Sequence, residues 1–158
     1  MKRKVVIGTL IAIFIAIFGY FSFSQIFPED IENAPEWMAL EEALELAAQD
    51  ERLLMIDIYE VGCQFCRKMD RETYPAPSVR AVLDRSYHPV KVNGHSDNTV
   101  NFLGEEMTER QFGSLMGVTA YPFVVVMDAD GNVIDRRRGY QDIVGFTRFL
   151  NNAVQESS

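Results

Sequence analysis

The two cysteines of this 158-residue chain, Cys63 and Cys66, are separated by two residues at a predicted strand-to-helix junction. Residues 53–59 (LLMIDIY) are short, apolar and β-branched, which is typical of a buried strand. Residues 64–72 have the composition of a helix. The Cys63 thiol is therefore predicted at a helix N-terminus, where unpaired N–H groups and the helix dipole stabilise a thiolate. Cys66 follows about one turn later, near enough to close a disulfide after Cys63 has attacked a substrate.

The spacing of the cysteines favours reactive thiols over a structural brace. A disulfide between Cys63 and Cys66 would close so small a loop that it would remove little entropy from the unfolded chain. Residues 25–158 are also numerous enough to form a packed core without disulfide support. We therefore interpret Cys63 as a nucleophile and Cys66 as the residue that resolves its mixed disulfide.

The N-terminus combines a basic cluster with a long apolar run. Residues 1–4 read MKRK, and the 19 residues 5–23 carry no charge. That length is near the lower limit for crossing a bilayer and exceeds a usual signal-peptide core. We predict that residues 1–24 form an uncleaved membrane anchor, with a cleaved signal sequence and a soluble core helix as alternatives. The basic end should stay cytoplasmic, so that the rest of the chain faces the other side of the membrane.

The remainder of the chain is acidic. Residues 1–24 hold three of the 15 basic residues and none of the 23 acidic ones, so without them the net charge changes from −8 to −11. Nucleic-acid binding requires a basic surface, which this composition does not provide. We therefore predict no nucleic-acid partner.

The pattern beyond residue 24 predicts an α/β domain. Residues 25–34 are predicted to be a linker, residues 35–49 a first helix and residues 94–107 an irregular segment. Strands are predicted at residues 53–59, 88–93, 123–127 and 133–138. The first two strands are linked by helices and should pair in parallel, whereas the last two form a hairpin. The result is a mixed central sheet with helices on both faces.

Four sequence features in this order resemble the thioredoxin superfamily over roughly residues 35–154, and the resemblance implies a thioredoxin-like domain at residues 35–156. Asp57 lies six residues before Cys63, and the Cys63-Gln64-Phe65-Cys66 motif follows it. Residues 118–122 (VTAYP) precede the predicted hairpin, and Gly139 follows it. Residues 66–70 (CRKMD), with residues 77–79 (PSV) after them, are similar to a narrower group. That group comprises exported thioredoxin-like proteins of the SoxW type and the C-terminal domain of the membrane thiol–disulfide interchange protein.

The resemblance implies a thioredoxin fold, a redox-active disulfide and no bound cofactor or metal. It implies that Asp57 accepts the proton of Cys66 during resolution of the mixed disulfide. It also implies that Pro122 is a cis-proline, which would hold the Tyr121 backbone beside the thiols for pairing with an extended substrate segment.

Three departures from the usual thioredoxin pattern, at four positions, all lie where a substrate would bind. Gly62 replaces the tryptophan that often precedes the first cysteine. Gln64 and Phe65 replace Gly-Pro, and Tyr121 stands where the superfamily usually has a small or β-branched residue. We predict that these four residues form the substrate-binding surface.

Together these features predict a thiol–disulfide oxidoreductase on the periplasmic side of the inner membrane, acting as a reductant of protein disulfides. Its recycling there implies a membrane electron-transfer partner. Two alternatives use the same sequence differently. The cysteines, with His88 or His95, could make a copper metallochaperone, or the domain could be a non-catalytic binding module of thioredoxin fold.

Overall fold

The computed structural model describes residues 2–26 and 31–157, which fall into two compact units, Met1–Asp30 and Ile31–Ser158. In the first unit, helix α1 spans Lys2–Ile26. Among the described residues, no helix meets the length and apolarity required of a membrane span. The anchor predicted at residues 1–24 is not confirmed. The predicted linker, residues 25–34, lies partly outside the described residues.

The second unit contains a four-stranded mixed sheet, as the sequence predicts. Its elements in chain order are α2 (Leu40–Asp50), β1 (Leu53–Tyr59), α3 (Gln64–Lys68), a π-helical turn (Met69–Thr73), α4 (Pro77–Ser86), β2 (Tyr87–Asn93), β3 (Thr99–Phe102), β4 (Glu105–Thr108), α5 (Glu109–Leu115), β5 (Phe123–Met127), β6 (Val133–Arg138) and α6 (Ile143–Glu156). The strand order is β2-β1-β5-β6. β1 pairs in parallel with β2 and antiparallel with β5, and β5 pairs antiparallel with β6.

Strand β1 lies at the centre of the sheet and is buried on both faces, because its side chains alternate between two hydrophobic cores. Leu53 and Met55 pack with α4 and α6, whereas Leu54, Ile56 and Ile58 pack with α2 and α5. By the same alternation Asp57 projects toward the α4–α6 face. The helices on both faces confirm the predicted α/β architecture.

The first helix is shorter than predicted. α2 begins at Leu40, whereas the sequence pattern predicted a helix from residue 35. Met38 instead forms a parallel bridge with Val90, and its N–H donates to the carbonyl of Pro89 at 3.1 Å. The segment before α2 is thus held in an extended conformation by the edge strand β2.

Residues 94–107 were predicted to be irregular, but they contain the antiparallel hairpin β3–β4. The side chain of Phe102 packs edge-on against Phe112 of α5, with ring centroids 5.2 Å apart. A Cβ at Gly131 would lie 2.6 Å from Leu103 Cδ1 and 3.0 Å from the Phe102 ring. The hairpin tip therefore rests against a glycine of the β5–β6 turn, and this tertiary contact stabilises strands whose own sequence is polar.

Candidate functional site

Cys63 and Cys66 form a disulfide at the start of α3, with their Cα atoms 5.3 Å apart. Cys63 is the N-cap of the helix, and its Sγ accepts the Cys66 N–H at 3.0 Å. Cys63 is half-buried, whereas only 3% of Cys66 is exposed. An incoming substrate can therefore reach the Cys63 sulfur more readily than the Cys66 sulfur.

The turn between β1 and α3 explains why Gly62 stands before the first cysteine. Gly62 has φ = +90°, a backbone conformation that residues with a Cβ rarely adopt. The Cys63 N–H donates to the Glu60 carbonyl at 3.3 Å and closes the turn. The glycine thus lets the chain reverse from the end of β1 into the cysteine helix, and no side chain covers the sulfur from this position.

The sheet register brings the Tyr121–Pro122 loop to the same end of the sheet as the cysteines. The Tyr121–Pro122 peptide bond is cis. Phe123, the next residue, pairs with Ile58 near the end of β1, and β1 leads directly to Cys63. The Pro122 carbonyl accepts the Gly139 N–H at 2.7 Å, which ties the loop to the end of β6.

Asp57 is a fully buried carboxyl group on the face of β1 that α4 and α6 cover. Neither of its oxygens has a hydrogen-bond partner among the residues the structure describes. The pKa of Asp57 is raised to about 7, mainly by burial; the Lys91 ammonium opposes this rise and the Asp70 carboxylate adds to it. Asp57 is therefore able to take up or release a proton near neutral pH.

Lys91 of β2 is shared between two carboxylates. Its Nζ forms an ion pair with Asp70 and lies 3.8 Å from Asp57 Oδ2. The ammonium also lies over two aromatic rings, 4.8 Å from the Trp37 centroid and 5.2 Å from the Tyr59 centroid. Lys91 is thus held closer to Asp70 than to Asp57.

Asp70 belongs to the π-helical turn that continues the cysteine helix, and its place in the motif of residues 66–70 did not predict a role for it in the site. The sequence feature that could have identified Asp70 is its position four residues after Cys66, because that spacing places two residues on the same face of a helix. Tyr74 follows the same turn, and its buried hydroxyl has no hydrogen-bond partner within the described residues. Burial, together with the nearby Asp57, raises the pKa of Tyr74 well above its usual value.

We expect Asp57→Asn to stabilise the folded protein at pH 8 and to change its stability little at pH 4. The pKa of Asp57 is about 7 in the folded protein against 3.8 for an unperturbed group, so the unfolded chain loses this proton first as pH rises. The free energy of unfolding should therefore fall between pH 4 and pH 7, by up to about 4 kcal/mol. Asparagine cannot ionise, so the variant should lose this dependence.

Urea unfolding of the oxidised protein and the variant, at pH 4 and at pH 8, measures this effect. The measured quantity is the difference between the two free energies of unfolding at each pH. A difference that is equal at both pH values would contradict the assignment of a raised pKa to Asp57.

Exposed apolar side chains flank Cys63. Val61 is 81% exposed and Phe65 55% exposed, and Gln64 between the cysteines is also exposed. The Phe65 ring lies 6.2 Å from the Tyr140 ring, and Lys68 Nζ lies 4.5 Å from the centroid of Tyr140. Val61 and Tyr140 therefore adjoin predicted substrate-surface residues, although sequence analysis did not single them out.

Neither histidine lies in a cluster of metal ligands. His88 is buried and its Nε2 lies 3.0 Å from Asp50 Oδ1, whereas His95 Nε2 lies 3.0 Å from Glu60 Oε2. Across residues 2–26 and 31–157, no three or more His, Cys, Asp or Glu side chains are grouped so that they could hold a metal ion. The copper-binding alternative gains no support from these positions.

A Cys-x-x-Cys disulfide at a helix start, beside a cis-proline loop on a mixed four-stranded sheet, defines a site of the disulfide oxidoreductase class. The family profile described as a thioredoxin-like domain matches residues 40–153, and the chain belongs to this family. The predicted resemblance to the thioredoxin superfamily is confirmed.

The chain is similar to the thiol:disulfide interchange protein DsbD of Cronobacter sakazakii, with 27% identity over 112 residues. The match covers 70% of this chain but 18% of DsbD, so the chain spans less than a fifth of that relative. Among solved structures, a thioredoxin from Thermus thermophilus matches with a TM-score of 0.64 and 18% identity, covering 82% of this chain and 92% of that one. The oxidised C-terminal domain of Neisseria meningitidis DsbD matches with a TM-score of 0.57 and 18% identity, covering 74% and 98%.

Proposed function

We propose that this protein reduces disulfide bonds in other proteins, with the Cys63–Cys66 pair as its electron donor. The observation that carries the proposal is the unequal exposure of the two cysteines. Cys63 caps the helix and is half-buried, whereas Cys66 is buried one turn further along. This arrangement suits one cysteine to attack a substrate and the other to act within the protein.

The reaction begins when the Cys63 thiolate attacks one sulfur of a substrate disulfide. The substrate S–S bond breaks, a disulfide forms between Cys63 and the substrate, and one substrate thiolate leaves and takes up a proton. The Cys66 thiolate then attacks Cys63 Sγ and releases the second substrate thiolate, which is also protonated. The substrate gains two electrons and two protons, and the protein is left with the Cys63–Cys66 disulfide.

Asp57 is proposed to take the proton of Cys66 before the second step. A carboxyl group with a pKa of about 7 is a base of suitable strength near neutral pH. Because the carboxyl is buried, it accepts the proton away from bulk water. Lys91 lies 3.8 Å from Asp57 and can stabilise the carboxylate form.

Tyr121 and the cis Pro122 are proposed to bind an extended segment of the substrate next to Cys63. Gly62, Gln64 and Phe65 form the opposite part of this surface. The support is that Gly62, Gln64 and Phe65 are exposed and adjoin Cys63 in the chain, and that the sheet register brings Tyr121 and Pro122 to the same end of the sheet. Such a surface recognises backbone and apolar side chains of a partner protein, with no need of a cofactor.

We further propose that the protein works on the periplasmic side of the inner membrane and is recycled there by a membrane dithiol donor. The basic residues 1–4 and the uncharged residues 5–23 support export, as does the similarity to DsbD. Protease treatment of spheroplasts that express the full chain tests the location. Cleavage of residues 25–158 supports it, whereas protection until the cells are lysed would contradict it.

Reduction of insulin by the reduced protein tests the proposed activity. With dithiothreitol as the recycling donor, wild-type protein should shorten the lag before the insulin B chain precipitates. The Cys63→Ser/Cys66→Ser variant is the matched control, because it removes both sulfurs and changes no other group. A wild-type lag equal to that of the control would overturn the proposed function.

A further inference from the structure

The side chain of Tyr121, the residue before the cis-proline, packs against a glycine that leaves room for it. A Cβ added to Gly94 would lie 2.8 Å from Tyr121 Cε1 and 3.0 Å from Cζ, and the three atoms nearest to it all belong to Tyr121. The φ of Gly94 does not lie in the left-handed region. Gly94 is therefore required by the tyrosine ring and not by its own backbone conformation.

His95, the next residue along the chain, also packs against this ring. The His95 and Tyr121 ring centroids are 5.4 Å apart, with 51° between the ring planes. His95 Nε2 pairs with Glu60 Oε2 at 3.0 Å, and the His95 carbonyl accepts a hydrogen bond from Arg110 at 2.9 Å. The histidine is thus fixed through both its side chain and its backbone.

These contacts place the Tyr121 ring across the end of the strand that leads to Cys63. The Gly94 N–H donates to the Tyr59 carbonyl at 2.9 Å, so the end of β2 is fastened to the end of β1. Tyr121 precedes β5, which pairs with β1 on its other side. The ring therefore extends from the β5 side of β1 to the β2 side, beside the turn that contains Cys63.

We propose that Gly94 and His95 are positioning residues for Tyr121, and that the ring they hold determines which substrates fit the substrate-binding surface. The inference rests on the proposed function, because it concerns the same surface. Tyr121 is half-buried, so part of the ring remains available to a substrate. An extended protein segment that binds beside Cys63 contacts this ring. A small disulfide needs contact only with the Cys63 sulfur, so its reduction does not depend on the position of the ring.

Gly94→Ala tests the inference, because its methyl group forces the Tyr121 ring out of its place. The measurement is the ratio of kcat/KM for insulin to kcat/KM for oxidised glutathione. We expect this ratio to fall at least roughly tenfold, mainly through KM for insulin, since a misplacement of about 1 Å can cost up to ~10²-fold. His95→Ala should lower the same ratio by a smaller factor.

A double-mutant cycle separates displacement of the ring from general damage. In a Tyr121→Leu background, Gly94→Ala should change the ratio no further, because the displaced ring is absent. Gly113→Ala is the matched control. The three atoms nearest to its methyl group would be Gly94 Cα and Ile58 Cγ2 at 3.7 Å and Val118 Cγ2 at 3.9 Å, all ordinary contacts, and none of them belongs to Tyr121.

The outcomes distinguish the inference from the proposed function. If the wild-type protein does not reduce insulin, the proposed function fails, whether or not it reduces glutathione disulfide. Alternatively, the wild-type protein reduces insulin while Gly94→Ala and His95→Ala both keep the wild-type ratio of kcat/KM for insulin to kcat/KM for oxidised glutathione. In that case the inference fails and the proposed function stands. An equal loss from Gly94→Ala in the wild-type and Tyr121→Leu backgrounds also overturns the inference. Should Gly94→Ala not fold, as judged by circular dichroism, His95→Ala decides the question alone.

Discussion

Cys63→Ser should abolish the reduction of protein disulfides, whereas Cys66→Ser should accumulate a mixed disulfide between Cys63 and the substrate. The half-buried Cys63 is the sulfur that a substrate can reach, and the 3% exposed Cys66 acts only after Cys63 has reacted. Without Cys66 the second step cannot occur, so the covalent intermediate persists. Non-reducing gel electrophoresis and intact-mass measurement detect the intermediate after incubation with oxidised insulin.

The control for this experiment is the double variant Cys63→Ser/Cys66→Ser, which should form no covalent complex. A stable complex formed by Cys63→Ser through Cys66 would contradict the assigned roles. Such a result would mean that the buried sulfur attacks the substrate first.

Asp57→Asn should slow the resolution of the mixed disulfide about 10²-fold near pH 7, the lower end of the usual effect of a general base. The wild-type rate of resolution should rise with pH through the pKa of Asp57, which is about 7. The variant has no carboxylate to take the Cys66 proton, so its rate should follow the titration of the thiol alone. Rapid acid quenching of a preformed Cys63 mixed disulfide measures the rate at each pH.

Asp70→Asn is the matched control, because it removes a neighbouring carboxylate without touching Asp57. The Asp70 charge raises the pKa of Asp57, and Asp70 also forms an ion pair with Lys91. Its removal should lower the pKa of Asp57 and move the midpoint of the rate profile to lower pH. If the resolution rate of Asp57→Asn depends on pH in the same way as the wild-type rate, the proposed role of the Asp57 carboxyl group is contradicted.

Local sequence patterns predicted the central strands because their burial leaves little choice of residue. The bounds of β1, β5 and β6 agree with the predicted strands, and β2 begins one residue before its predicted start. The strongly apolar FVVVM of β5 is buried along its whole length, as expected of a β-branched strand inside the sheet. At the start of α5, Thr108 and Gln111 form the reciprocal capping contacts that their three-residue spacing favours.

The elements that were missed depend on contacts between distant parts of the chain. Residues 35–39 have helical signals, but the bridge from Met38 to Val90 holds them extended. The hairpin β3–β4 has little apolar pattern of its own, and its tip is supported by packing on Gly131. Periodicity describes one segment at a time, so it contains no information about such pairings.

The candidate site was likewise predicted only where its features are local in the sequence. The cysteine spacing and the acid within an apolar strand were visible in the sequence. The ion pair of Lys91 with Asp70 joins β2 to the cysteine helix, and the packing of Tyr121 on Gly94 joins β5 to β2. Both require the assembled sheet, which is why neither was predicted.

The reduction potential of the Cys63–Cys66 pair tests the central claim most directly. The protein is equilibrated in glutathione or dithiothreitol redox buffers, alkylated and weighed by mass spectrometry, which counts the free thiols at each potential. A protein that donates electrons to other proteins should show one two-electron transition near that of thioredoxin, ~−270 mV. A transition near that of DsbA, ~−120 mV, would show that the pair accepts electrons from its partners and would contradict the proposed reductant.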